Sequence, residues 1–136
     1  GVMRNGGRNG ARLAPKSLLS HFRKLALDEA TSQLSFREIE VASSDEELEN
    51  FSKSQDSEAL RIESAFRAHP GARVIHLGGG HDHVYPLLKS FSRAKRIIVL
   101  NLDAHADTRT DEESHSGTPF RQFAKEYEGD FHLFQL

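Results

Sequence analysis

From Val74 to Leu136, short apolar runs alternate with stretches of helical spacing, and this alternation limits the fold more than any other feature. Val74–Leu77 is short and apolar and predicts a strand. Gly78-Gly79-Gly80 predicts a turn, and Val84 to about Phe91 a helix with Pro86 in its first turn. Ile97–Leu102 is a continuous apolar run, as expected of a strand buried on both faces. A polar loop follows over 104–117. Thr118-Pro119 predicts a helix start, with Phe120, Phe123, Ala124 and Tyr127 as its apolar residues, and Phe131–Leu136 predicts another strand. Strands alternating with helices imply an α/β fold with a parallel sheet between helical layers.

The first half is less regular. Pro15 to about Leu27 has the spacing of an amphipathic helix, and 34–41 reads as a short strand. Ser43-Ser44-Asp45-Glu46-Glu47 looks like a helix start, and helical spacing continues to Ala68, with the polar stretch Ser52–Ser57 a place where it would break in two. His69-Pro70-Gly71 stops it.

Composition removes several function classes. The chain has no Cys, which excludes disulfides, thiolate zinc sites and a Cys nucleophile. A net charge of -2 gives no basic surplus for nucleic acid or an anionic membrane. No apolar run nears the roughly 20 residues that span a bilayer. The first residues lack a signal-peptide pattern, which fits the cytoplasm. With no Cys, any transition-metal site must use His and carboxylates, and five of the eight His fall between His76 and His115, which points to that region.

In parallel sheets ligands bind at the carboxyl ends of strands. Two motifs are predicted at that position: Gly78–His83 after one strand and Asp103-Ala104-His105-Ala106-Asp107 after the next. In extended chain alternate residues share a side, so Asp103, His105 and Asp107 would converge. Two carboxylates and an imidazole suit Mn²⁺, and equally Zn²⁺ or Fe²⁺. Taken alone, His81 reads as well as a helix-capping residue as a ligand, and the neighbouring acidic cluster favours the ligand. Asp82 reads as a helix-start acid or a support for a ligand, and His83 as a bystander. His76 reads as a packed or hydrogen-bonded core residue, and His21, His69 and His132 as surface or structural. Asp45–Glu49 and Asp111–Glu113 read as solvated faces.

Three runs together resemble the arginase/agmatinase/formimidoylglutamase family: Gly78-Gly79-Gly80-His81-Asp82, Asn101-Leu102-Asp103-Ala104-His105-Ala106-Asp107 and Ser116-Gly117-Thr118-Pro119-Phe120-Arg121-Gln122. Gly1–Ala11 resembles its N-terminal loop. Arg4-Asn5-Gly6-Gly7-Arg8 and the Ser-Gly-Thr-Pro-Phe-Arg-Gln run favour the formimidoylglutamase branch.

The resemblance implies a three-layer α/β sandwich with a parallel sheet, of arginase/deacetylase type, with residues 1–136 forming the N-terminal part of one domain. It implies two Mn²⁺ ions, one held by His81, Asp103 and Asp107 and the other by Asp103 and His105. Such ions make water nucleophilic near neutral pH, with Asp107 accepting its proton. The implied reaction is hydrolysis of N-formimidoyl-L-glutamate to L-glutamate and formamide, in histidine breakdown. The alternatives are an agmatinase- or arginase-type guanidino hydrolase, and a non-catalytic metal-binding piece. Arg8, Arg109 and Arg121 are candidates for binding substrate carboxylates, against a reading of Arg109 and Arg121 as surface salt-bridge residues. The expected partners are a small amidine or guanidino substrate, no nucleic acid or membrane, and further copies of a full-length chain.

The family's later Asp-x-Asp ligands have no counterpart, since no Asp-x-Asp occurs in the sequence. The expectation is therefore an incomplete piece with an uncovered sheet edge, weak metal binding and little turnover. The resemblance places Ser116 where arginase-like members carry a His. His115, one residue earlier, reads as an ordinary loop residue rather than a proton shuttle.

Overall fold

A computed structural model describes residues 6, 9–22, 24, 37–40 and 50–136. The predicted helix start at Ser43–Glu47, and most of the strand predicted over 34–41, lie outside these residues. Residues 37–40 are not in a strand.

Helix α1 (Ala14–Phe22) follows a 3-10 turn at Asn9–Leu13, and Pro15 sits in its first turn, where a missing N–H costs nothing. None of its residues is fully buried, and Leu18 on its apolar stripe is 52% exposed.

Helix α2 (Phe51–Ala68) runs unbroken, which corrects the expected break at Ser52–Ser57. Its N-cap Asn50 accepts a hydrogen bond from the Lys53 N–H at 3.3 Å. The buried stripe is Ser54, Gln55, Glu58, Ala59 and Ile62, with the spacing of one helical face. The polar residues persist there because Gln55 and Glu58 have partners. Gln55 Nε2 donates to the Asp82 carbonyl at 3.2 Å and Gln55 Oε1 accepts from Gln122 Nε2 at 2.9 Å. Glu58 pairs with His83.

Helix α3 (Val84–Lys89) is entered through a 3-10 turn at His81–His83. Strand β1 (Arg96–Asn101), helix α4 (Pro119–Glu126) and strand β2 (Asp130–Gln135) complete the chain. The strands pair in parallel, from Arg96 opposite Asp130 to Asn101 opposite Gln135, as the strand–helix–strand pattern predicts. Thr118 precedes α4 but makes no side-chain cap bond to it. Its hydroxyl accepts from the His115 N–H and donates to the His115 carbonyl, both at 3.0 Å.

The core lies between α3, α4 and one face of the sheet. Tyr85, Leu88, Phe120 and Phe123 are buried there, packed by Ile97, Val99, Phe131 and Leu133. On the other face Ile98 and Phe134 remain 64% and 56% exposed. This corrects the expectation that Ile97–Leu102 is buried on both faces. Alternate residues point to opposite faces, and no described element covers the second one. Val74–Leu77 has no ladder partner, so the sheet of the described residues has two strands. The α/β character and parallel pairing stand, and two layers of the expected sandwich are seen. No described helix is long and apolar enough to cross a membrane.

Candidate metal centre

β1 ends at Asn101, and the chain then bends through 103–105. The bend is pinned from below. Asn101, 8% exposed, donates from Nδ2 to Gln135 Oε1 at 2.9 Å and to the His105 carbonyl at 3.4 Å. Gln135 Nε2 in turn donates to the Ala106 carbonyl at 2.8 Å. The last register pair of the sheet therefore grips the backbone of His105 and Ala106 within the acidic motif. At Asp107 the backbone takes φ 49°, a left-handed conformation that Asp tolerates better than most residues.

The result is a cluster of His81, Asp103 and Asp107, with one donor atom from each lying within 4.8 Å of the others. His81 Nδ1 touches Asp107 Oδ2 and lies 3.8 Å from Asp103 Oδ2. The His81 ring stands edge-on to buried Phe120, with centroids 5.8 Å apart. Among the described residues this is the sole group of three or more His, Cys or acidic side chains so arranged.

His105 is not in the cluster. The motif bends, so the every-second-residue rule fails at its middle member, and the His105 side chain is 82% exposed. Its Nδ1 lies 3.3 Å from Asp103 Oδ1, the oxygen on the far side of the carboxylate from His81. The His105 N–H donates to the same oxygen at 2.8 Å, and this bond holds the Asp103 carboxyl below the usual range. An ionised carboxylate with one oxygen toward each histidine, and a second carboxylate beside it, is a donor set that fits divalent cations of the Mn²⁺, Zn²⁺ or Fe²⁺ kind.

The following loop is locked around His115, which is buried. Its Nδ1 accepts from the Gly117 N–H at 3.0 Å, so the ring's proton is on Nε2, which donates to Asp111 Oδ2 at 2.8 Å. A Cβ on Gly117 would lie 3.1 Å from His115 Cε1 and 2.9 Å from Arg109 Cδ, so glycine permits this closeness. Asp111 also pairs with Arg109 Nε at 2.9 Å, so it is not merely a solvated acid. Arg121 Nη1 donates to the carbonyls of Arg109 and Asp111, each at 3.3 Å. Both arginines are thus engaged with the loop, and Arg8 lies outside the described residues.

The hydrogen bond from His115 keeps the Asp111 carboxyl below its ordinary value. A depressed carboxylate stabilises the fold fully above its unfolded pKa of about 4 and loses that contribution as pH falls through the lowered value. Acidification through that range is expected to lower the protection of the Gly117 amide, its exchange rate relative to unstructured chain at the same pH, and Asp111→Asn to do so at neutral pH. Amide exchange followed by NMR checks both, and unchanged protection of Gly117 in Asp111→Asn would refute the lock.

Sequence reasoning missed four supports: Gln55, Glu58, Asn101 and Gln135. His83, read as a bystander, is the partner of buried Glu58, and that hydrogen bond raises its pKa. His76 lies 3.8 Å from the same carboxylate, and burial lowers its pKa. Polar residues on the buried stripe of α2 were the available signal.

A family model described as Arginase family matches residues 2–136. The chain is 34% identical over 129 residues to a formimidoylglutamase of Enterobacter sp. (strain 638), covering 92% of this chain and 39% of that protein. It is 38% identical over 128 residues to a formimidoylglutamase of Rhodococcus opacus (strain B4), covering 90% and 38% respectively. The chain therefore spans about two fifths of the length of these relatives. No solved structure matches it significantly. The acidic motif after β1, the glycine-led His81 turn and the match across residues 2–136 agree: the chain belongs to the arginase family.

Proposed function

We propose that this chain carries part of a binuclear manganese centre that hydrolyses a formimidoyl C–N bond, converting N-formimidoyl-L-glutamate and water to L-glutamate and formamide in histidine degradation. The observation that carries this reading is the convergence of His81, Asp103 and Asp107 at the carboxyl end of β1 in an arginase-family chain. The names of the two relatives support the formimidoyl substrate.

When bound, divalent ions would supply Lewis acidity and a nucleophilic water near neutral pH. His81, Asp103 and Asp107 would hold one ion, and Asp103 with His105 the other. Asp107 keeps Oδ2 toward His81, which leaves Oδ1 to accept the attacking water's proton. The scissile C–N bond breaks as that proton passes to the departing amine, giving glutamate and formamide. Arg8, Arg109 and Arg121 would attract the substrate's carboxylates. We further propose a cytoplasmic location and, for a full-length chain, a homo-oligomer.

The test is incubation of the Mn²⁺-loaded chain with formimidoylglutamate, arginine and agmatine, reading formamide and urea. Formamide from the first substrate alone is expected, and slowly, since these 136 residues contain no Asp-x-Asp. Urea from arginine or agmatine would overturn the substrate assignment, and no Mn²⁺-dependent product from any of the three would favour a non-catalytic metal-binding role.

A further inference from the structure

Glu58 is 2% exposed, on a helix that contributes no residue to the metal centre. A buried carboxylate is costly unless it is paired and hydrogen-bonded. Here both of its oxygens face His83 Nδ1, at 2.9 and 2.8 Å. The ring of His76 stands edge-on to that of His83, with centroids 6.4 Å apart. Nearly one turn earlier on the same stripe, Gln55 holds the Asp82 carbonyl and is itself held by Gln122 of α4. The His83 N–H donates to the Gly80 carbonyl at 3.2 Å, closing the turn around His81. The two residues after His81 are therefore both tied to α2, one through its backbone and one through its side chain. Phe120 meets the His81 ring itself.

We infer that the Glu58–His83 pair, with Gln55 beside it, is a positioning device that fixes the His81 imidazole for metal binding. Glu58 and Gln55 act through the turn and touch neither the ion nor substrate. The inference rests on the metal-centre reading above. Without these anchors the turn still forms its local hydrogen bond, but His81 samples orientations that do not meet Asp103 and Asp107. Loss of a partner bonded directly to a metal ligand typically weakens metal affinity about 10–100-fold, and an effect in that range is expected for these anchors of the turn.

The experiment is a Mn²⁺ titration of the whole chain, followed by paramagnetic broadening of the His81 imidazole NMR signals. Glu58→Ala should shift the midpoint to about 10–100-fold higher Mn²⁺. Glu58→Gln, which keeps an acceptor for His83, should stay within about 3-fold of wild type, a rescue that loss of bulk packing would not show. Glu63→Ala, on the same helix but paired with Arg67 and Arg93, should titrate as wild type. Amide spectra and thermal midpoints without metal separate lost affinity from lost folding. If Glu58→Ala does not fold, Gln55→Ala carries the test, with a shift of about 10-fold expected. Wild-type midpoints in folded Glu58→Ala and Gln55→Ala would overturn this inference and leave the metal centre standing. A wild-type chain whose His81 signals ignore Mn²⁺ would overturn the metal centre and this inference with it.

Discussion

Asp103→Ala is expected to abolish Mn²⁺ uptake at the His81 site and to remove any Mn²⁺-dependent hydrolysis. Among the described residues Asp103 is the one carboxylate that faces both histidines, with Oδ2 3.8 Å from His81 Nδ1 and Oδ1 3.3 Å from His105 Nδ1. Removing it leaves Asp107 and His81 as neighbours but disconnects His105 from them. The loss should exceed the roughly 10–100-fold that follows loss of an outer partner, because here the ligand itself is gone. Asp103→Asn keeps the shape and the acceptor for the His105 N–H but drops the negative charge, so it should bind metal almost as poorly as Ala while folding like wild type. Calorimetric Mn²⁺ titration of the three proteins is the check. Affinity in Asp103→Asn within a few-fold of wild type would mean that the charge does not hold the ion.

Phe123→Ala should be the most damaging substitution for the fold. Phe123 is 2% exposed, stacks on Tyr127 at 4.9 Å and meets Phe131 edge-on at 5.2 Å. It joins α4 to β2, and α4 also carries Phe120 against His81. Buried Phe→Ala changes cost about 3–5 kcal/mol, because a cavity is added to the lost transfer energy. Domains are stable by only about 5–15 kcal/mol, so such a loss is a large share of the total. Urea denaturation should place the midpoint far below wild type or find the variant unfolded. Leu60→Ala, at a 66% exposed position of α2, should stay within about 0.5 kcal/mol. Equal effects of the two would contradict the assigned core.

What could be read from the sequence was what depends on near neighbours. The apolar run ending at Leu102 marked β1, and the parallel partner followed from the intervening helix pattern. Asp103 and Asp107 were legible because an acidic motif after such a run falls at the binding end of a sheet. His81 was legible because a glycine-led turn stood before an acidic motif, although the strand expected at Val74–Leu77 is not formed. His105 was misplaced because its convergence with Asp103 and Asp107 requires an extended chain, whereas the segment bends at 103–105 and turns left-handed at Asp107. Ser52–Ser57 misled for a related reason. A polar stretch predicts a break only if its side chains need water, and Gln55 finds its partners 27 and 67 residues away. Burial of Ile98 depends on what lies over it, which strand periodicity alone does not specify. The supports of the site shared this character: Glu58 and His83 are 25 residues apart, and Asn101 and Gln135 are 34 apart.

The most direct measurement is anomalous diffraction at the manganese edge from crystals of the chain soaked in MnCl₂. A peak bounded by His81 Nδ1, Asp103 Oδ2 and an Asp107 carboxylate oxygen is expected, and it should be lost in Asp103→Ala crystals. An ordered His81 turn and acidic motif with no peak between them, or manganese bound only elsewhere on the chain, would contradict the proposed metal centre.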